Sequence, residues 1–257
     1  MRIQKEQLFS YSTVIIVACF SLQAVGLGNL IAYGVFINPL LDEFNWSRAA
    51  VSGASSVAIF FGGVFGMLVG RLNDKIGPRL VTIVCAFFFG FGHIIMSQIG
   101  ALWQLYLVYG LFIGVGMGSV DIIPLSTIAQ WFRERRGAIT GIVKVGAGFG
   151  QLVIPVAASI LITRHGWRTT YIVLGIGSFV LFFIIGLLLK RAPRPESRSN
   201  QKNIDRSSDT AQGNDSSFSF REAVRTKTFW IICISNMLGI FSQIGRASCR
   251  ERVCHRV

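Results

Sequence analysis

Asp121 and Lys144 are formal charges inside apolar runs that are long enough to cross a bilayer. On insertion scales each costs about 2.5 to 3.5 kcal/mol at the centre of a spanning helix, so each needs a reason to be there. Asp121 lies ten residues before Trp131 and Lys144 eight after Arg136. At about 1.5 Å of rise per residue, both stand roughly 12 to 15 Å from the same turn, on consecutive antiparallel helices. Two chemistries suit them. In one they form a structural ion pair, Asp121 sharing a face with Gly110 and Gly114, and Lys144 with Gly137, Gly141 and Gly148, where close packing brings them together. In the other, Lys144 faces a cavity and attracts an anion while Asp121 takes up or releases a proton, as a carboxylate in a low-dielectric site does. The shared glycines favour the structural pair.

Other polar groups in apolar runs are Gln23, Asn29 and Tyr33 in the first and His93 in the third. Gln23, Asn29 and Tyr33 suit a helix beside a solvated pathway, although Gln23 and Asn29 equally suit bonds to a neighbouring helix. His93 reads as a histidine bonded within the bundle ahead of a proton shuttle. The three histidines and the intramembrane carboxylate make no hydrolytic constellation. Neither His-Glu-x-x-His nor Gly-x-Ser-x-Gly occurs, nor a phosphate-binding Gly-x-x-x-x-Gly-Lys-Ser/Thr. No enzyme, cofactor or metal site is expected. Cys19, Cys85 and Cys233 lie in spans and Cys249 and Cys254 in the tail, without metal or redox spacing, and read as inert.

These residues need membrane helices to position them. Hydrophobic residues make up 52% of the 257 and charged residues 14%, with mean hydropathy +0.56, which is the composition of an integral membrane protein. Spans are expected at about 11–37, 51–69, 80–99, 102–129, 138–162 and 170–189, with a seventh starting at Phe229 and stopping short. The net charge of +13 would suggest nucleic acid in a soluble chain. Here the cations sort by loop: Arg2, Lys5, Arg71, Lys75, Arg79, Arg133, Arg135, Arg136 and nine Lys/Arg from Lys190 to Lys227 share one side, against Arg48, Arg164 and Arg168. The positive-inside rule therefore places the N-terminus in the cytoplasm, with a multi-pass chain in the plasma membrane and no nucleic-acid partner.

Between the second and third spans lies the ten-residue stretch from Gly70 to Arg79. Gly70 is expected to admit a close neighbour, Gly77-Pro78 to break the backbone, and Asp74, Lys75 and Arg79 to meet charges at other helix ends, which suits a cytoplasmic gate. Ser47 is placed to cap the second helix. Gly146, Gly148 and Gly150 sit inside a span with no strand before them, so they read as helix packing and not as a nucleotide loop.

The Gly70–Arg79 stretch resembles the loop after the second helix of the major facilitator superfamily, with Pro78 where a cation is usual. Trp131-Phe132-x-x-Arg135-Arg136-Gly137-x-x-x-Gly141 and Glu43-Phe44-x-Trp46-Ser47-Arg48-Ala49 resemble signatures of its monocarboxylate transporter and oxalate/formate antiporter branch. So do His165-Gly166-Trp167-Arg168 and the segment from Phe218 to Ala223. An internal repeat points the same way. Pro39-Leu40, Trp46 and Arg48 recur 85 residues later as Pro124-Leu125, Trp131 and Arg133. Three helices separate the copies, so the second is inverted, as in the three-plus-three halves of that superfamily.

The fold expected is thus all-α: residues 1–190 form a six-helix N-terminal half of a major facilitator fold. Residues 191–228 would be a polar cytoplasmic linker ending in a short amphipathic helix, and 229–242 a truncated seventh helix. Residues 243–257, with Arg246, Arg250, Arg252 and Arg256, look like an in-frame translation of a short-read sequencing adapter, with a native basic tail on a dimerising half-transporter as the other reading. The resemblance implies a secondary transporter working by alternating access, carrying a small carboxylate such as lactate, pyruvate, formate or oxalate by proton symport or exchange. It also implies that the second half of the same protein completes the site. A facilitator for another small solute, or a membrane sensor, are the alternatives.

Overall fold

A computed structural model describes residues 2–132 and 135–189, together with Thr226 and Trp230, with side chains from Tyr11 onward. The linker, the seventh-helix stretch and the tail, as well as Arg133 and Glu134, lie outside the described residues. The chain divides into two units, residues 1–194 and 195–257, and the helices from Arg2 to Leu188 belong to the first.

Its elements are all helical: α1 (Arg2–Phe44), α2 (Arg48–Ile76), α3 (Pro78–Met96), α4 (Leu102–Trp131) and a last run, Arg136–Leu188. That run is two helices, α5 (136–165) and α6 (167–188), because Gly166 has φ 80° and ψ 162°. A residue there cannot continue a right-handed helix, and glycine adopts it without Cβ strain. Each of the six full spans expected from hydropathy therefore has its helix, while the seventh stretch lies outside the described residues. The helices overrun the apolar stretches: α1 has 43 residues, about 64 Å against a hydrocarbon core of about 30 Å. Ser47 caps α2, its Oγ accepting from the Ala50 amide at 3.2 Å.

Helix pairing follows the repeat. The two first helices, α1 and α4, each pack on the second helix of the other copy. On the α1–α5 seam, a Cβ added at Gly28 would lie 2.6 Å from the Gly150 carbonyl oxygen, and one at Gly146 2.7 Å from that of Phe20. On the α4–α2 seam, a Cβ at Gly114 would lie 3.0 Å from the Ala58 carbonyl and one at Gly118 3.0 Å from the Gly66 amide. Only glycine permits backbones that close. The third helices meet each other, Gly90 and Gly175 facing across α3 and α6 and Gly186 resting on Ile83. The front is thus α2, α4, α1 and α5 side by side, with α3 and α6 behind.

The core lies between these layers. Leu22, Phe36, Phe89, Tyr109, Tyr171 and Phe182 are fully buried, and Phe36 stacks on Tyr171 at 4.0 Å between centroids. Within α4, Tyr106–Ile113 winds as a π-helix, a feature without a sequence signal. At its start the Tyr106 hydroxyl donates to the Ala50 carbonyl at 2.8 Å. Outside the apolar zone, Glu43 accepts from Trp167 Nε1 at 2.5 Å and from Arg168 at 2.7 Å, and Arg168 also donates to the Ser97 carbonyl at 2.8 Å. That clasp ties the ends of α1 and α3 to the start of α6.

Candidate functional site

The two intramembrane charges meet on the front of the bundle. Lys144 Nζ of α5 donates to Asp121 Oδ1 of α4 at 2.5 Å. The same carboxylate oxygen accepts from Gln23 Nε2 of α1 at 2.9 Å, and Gln23 also donates to the Val120 carbonyl at 3.2 Å. Gln23 is wholly buried, so it fixes Asp121 against α1. The pair itself is open: the Lys144 and Asp121 side chains are 45% and 51% exposed.

That exposure corrects the expectation about the lysine's face. Gly137, Gly141 and Gly148 have no atom within 4 Å of where a Cβ would stand, and all three are exposed with Gln151. The packing face of α5 is the opposite one, through Val143, Gly146, Ala147 and Gly150. Gly148 accordingly takes no part in the packing expected of Gly146, Gly148 and Gly150. The reason is geometric: residues seven apart share a helix face, and the stripe through Gly137, Gly141, Lys144, Gly148 and Gln151 is turned away from α1. Lys144 therefore stands on an open wall of small and polar residues.

On the other side of Asp121 a cleft of 420 Å³ opens between α1, α2 and α4. Leu27, Leu30, Ile59, Met67, Met117 and Ile122 line it over a floor of Ala58, Gly62, Gly63, Gly66 and Gly118, and among the described residues Asp121 is its one ionisable lining residue. Sequence reading did not find this cleft, since its walls are ordinary apolar residues brought together from three helices.

The remaining candidates sit elsewhere. Asn29 Nδ2 donates to the Val25 carbonyl at 2.8 Å and to Ser178 Oγ of α6 at 3.1 Å. The Tyr33 hydroxyl donates to the Val51 carbonyl at 2.7 Å, and its ring stands 4.1 Å from Tyr109. Both are buried. For Gln23, Asn29 and Tyr33 alike, bonding within the bundle is the geometry found; only Gln23 touches the charged pair. His93 is buried with Nδ1 2.8 Å from the Phe89 carbonyl of its own helix.

The Gly70–Arg79 stretch is not the ten-residue loop expected. α2 continues as helix to Ile76, and the break is Gly77 alone, at φ 102°, with Pro78 opening α3. Helix propensity across Arg71 to Ile76 and a cap bond from the Gly77 amide to the Asn73 carbonyl at 3.0 Å keep the turn short. Gly70 is not a close-approach site, since an added Cβ would lie 3.8 Å from Ile122, an ordinary contact. Asp74, Lys75 and Arg79 are exposed around that turn. Asn73, which sequence reading passed over, is buried there and donates to Ser126 of α4 at 2.9 Å.

A family model described as Major Facilitator Superfamily matches residues 14–245. Among curated proteins, MFS-type transporter 1 of Ophiocordyceps sp. (strain BCC 1869) is 29% identical over 54% of this chain and 30% of its own length. Human monocarboxylate transporter 7 is 27% identical over 68% of this chain and 33% of its own. The chain thus spans about a third of the length of these relatives. Among solved structures, the inward-open xylose transporter XylE from E. coli aligns with TM-score 0.60 at 17% identity, over 76% of this chain and 52% of that one. A bacterial homologue of the lysosomal transporter Spinster aligns with TM-score 0.62 at 15% identity, over 84% of this chain and 48% of that one.

Proposed function

This chain belongs to the Major Facilitator Superfamily, is an integral multi-pass membrane protein, and from that membership we propose that it is the N-terminal half of a secondary transporter for a small organic anion. Residues 1–190 supply the six-helix bundle, whose front α2–α4–α1–α5 faces the second half of the same protein across a central pathway. The N-terminus and the Gly77 turn lie on the cytoplasmic side of the plasma membrane, where Asp74, Lys75 and Arg79 take part in closing the pathway. Alternating access then proceeds by rocking of the two halves, without ATP.

One observation carries the anion reading: Lys144 and Asp121 pair across the open front and not inside a packed seam. An ion pair so exposed adds about 0 to 1 kcal/mol to stability, little return for two charges at that depth. As machinery it has a use. While Asp121 is ionised it occupies Lys144. A proton on Asp121 frees the ammonium, a substrate carboxylate takes its place, and proton and anion travel together. Gln23 holds Asp121 in place through the exchange. The monocarboxylate transporters among the relatives support a carboxylate cargo.

Uptake of labelled lactate into liposomes holding the intact protein tests this. Lys144→Met and Asp121→Asn are expected to leave expression intact and each reduce uptake at least tenfold, and the double variant to recover nothing. Recovery in the double variant makes the pair structural and overturns the proposal.

A further inference from the structure

We infer that Gln151 is a specificity-determining residue of the anion site proposed above, on which this inference rests: while Lys144 holds the anionic group, the Gln151 amide hydrogen-bonds a second polar group close to it. The first ground is rotation about α5. Val143, Gly146, Ala147 and Gly150 form its buried side. Ile142, Val145, Phe149 and Leu152 are large, apolar and exposed, the chemistry of a side turned to lipid. Lys144 and Gln151 are exposed on neither of these. At about 100° per residue, Gln151 lies within roughly 20° of Lys144 around the helix, and Phe149 about 140° away. Among the described residues the Gln151 side chain makes no hydrogen bond. Hydrocarbon offers an amide no partner, so a free amide at this depth belongs on the side that meets water or substrate.

The second ground is depth. Gln23 of α1 bonds the Asp121 carboxylate, and Gly26 lies against Val120 of α4. Gly150 of α5 lies against the Ala24 backbone. Residues 23–26 of α1 thus mark one level, which Asp121 meets from α4 and Gly150 from α5. Gln151 follows Gly150 directly, so its amide starts at the level of the carboxylate that Lys144 reaches. Gly148, between the two on the same face, has nothing within 4 Å of an added Cβ, which leaves the space between ammonium and amide open. A neutral amide supplies two donors and an acceptor, so it satisfies a hydroxyl, keto or amide group without competing for the charge. A substrate that places a methyl group there leaves the amide unpaired once water is excluded, and is disfavoured for that reason.

The test has two arms, both on the intact protein in liposomes. In the first, uptake of propionate is compared with that of lactate and 3-hydroxypropionate, which add one hydroxyl at either carbon. The better hydroxy acid is expected to lead propionate in kcat/KM by about three- to tenfold, the worth of one hydrogen bond. Gln151→Leu should bring that ratio to one with propionate uptake unchanged, which also shows that the variant folds, and Gln151→Asn should keep part of the preference. In the second arm, Gln151→Cys is expected to react with a water-soluble methanethiosulfonate at least tenfold faster than Phe149→Cys, and the preferred anion to slow it. A ratio that Gln151→Leu leaves unchanged, while uptake still depends on Lys144, overturns the inference and leaves the anion site standing. So does a Gln151→Cys that reacts no faster than Phe149→Cys, or that none of the three anions protects. Uptake indifferent to Lys144 overturns both.

Discussion

Asn29 shows how a polar residue in a spanning helix is told from a transport residue. It reaches across the core to Ser178 and not toward the front. Interhelical hydrogen bonds in membranes are worth about 0.6 kcal/mol on average, because the unfolded reference also finds partners. Asn29→Ala and Ser178→Ala are each expected to lower the melting temperature by a degree or two, the pair together hardly more than either alone. The KM for labelled substrate should stay put, and a large KM change at Asn29 would return it to the pathway. Lys144 is expected to behave oppositely, with transport lost at unchanged melting temperature.

At the level of the helices, glycine has two separate jobs on α5, and substitutions sort them. Gly150 lies against the Ala24 backbone, so any side chain there pushes α1 and α5 apart, whereas Gly148 has nothing within 4 Å. Gly150→Leu is expected to yield no monodisperse protein by fluorescence-detected size exclusion, and Gly148→Ala to give wild-type yield. At the turn between α2 and α3, Gly77 holds φ 102° and ψ 163°, a region essentially confined to glycine that costs an L-residue about 1 to 3 kcal/mol. Gly77→Ala is therefore expected to lower the melting temperature by several degrees even though nothing lies within 4 Å of the new methyl group. An unchanged melting temperature would show that the turn relaxes.

Across the whole molecule the testable quantity is orientation. Asn45 and His165 are exposed near the end of α1 and the α5–α6 junction, and Lys75 is exposed at the opposite turn. Cysteines introduced at Asn45 and His165 are expected to label in intact cells with an impermeant maleimide, and one at Lys75 only after permeabilisation. Native Cys19 and Cys85 are buried and should stay silent. Asn73 is an unsuitable reporter for that turn because it is buried against Ser126. Labelling at Lys75 in sealed cells would invert the topology.

The membrane class and six helical spans were legible in the sequence because both follow from local composition: runs of apolar residues mark spans without any knowledge of their neighbours. The inverted repeat was legible too, since Pro-Leu, Trp and Arg recur at a fixed offset, and the paired seams α1–α5 and α4–α2 obey it. Spacing along two antiparallel helices also brought Asp121 and Lys144 to a common depth. Depth, however, is a coordinate along the helix, and function here depends on rotation about it. Whether Gly137, Gly141 and Gly148 pack or stand open is settled by which neighbour α5 meets, and that is a property of the whole bundle. The same holds for the length of the Gly77 turn, where helix continuation to Ile76 won over a run of charges. It holds for the π-helical stretch of α4 as well. The cleft beside Asp121 is the extreme case: its walls come from three helices, each contributing side chains that in sequence are indistinguishable from core, and only packing leaves them uncovered.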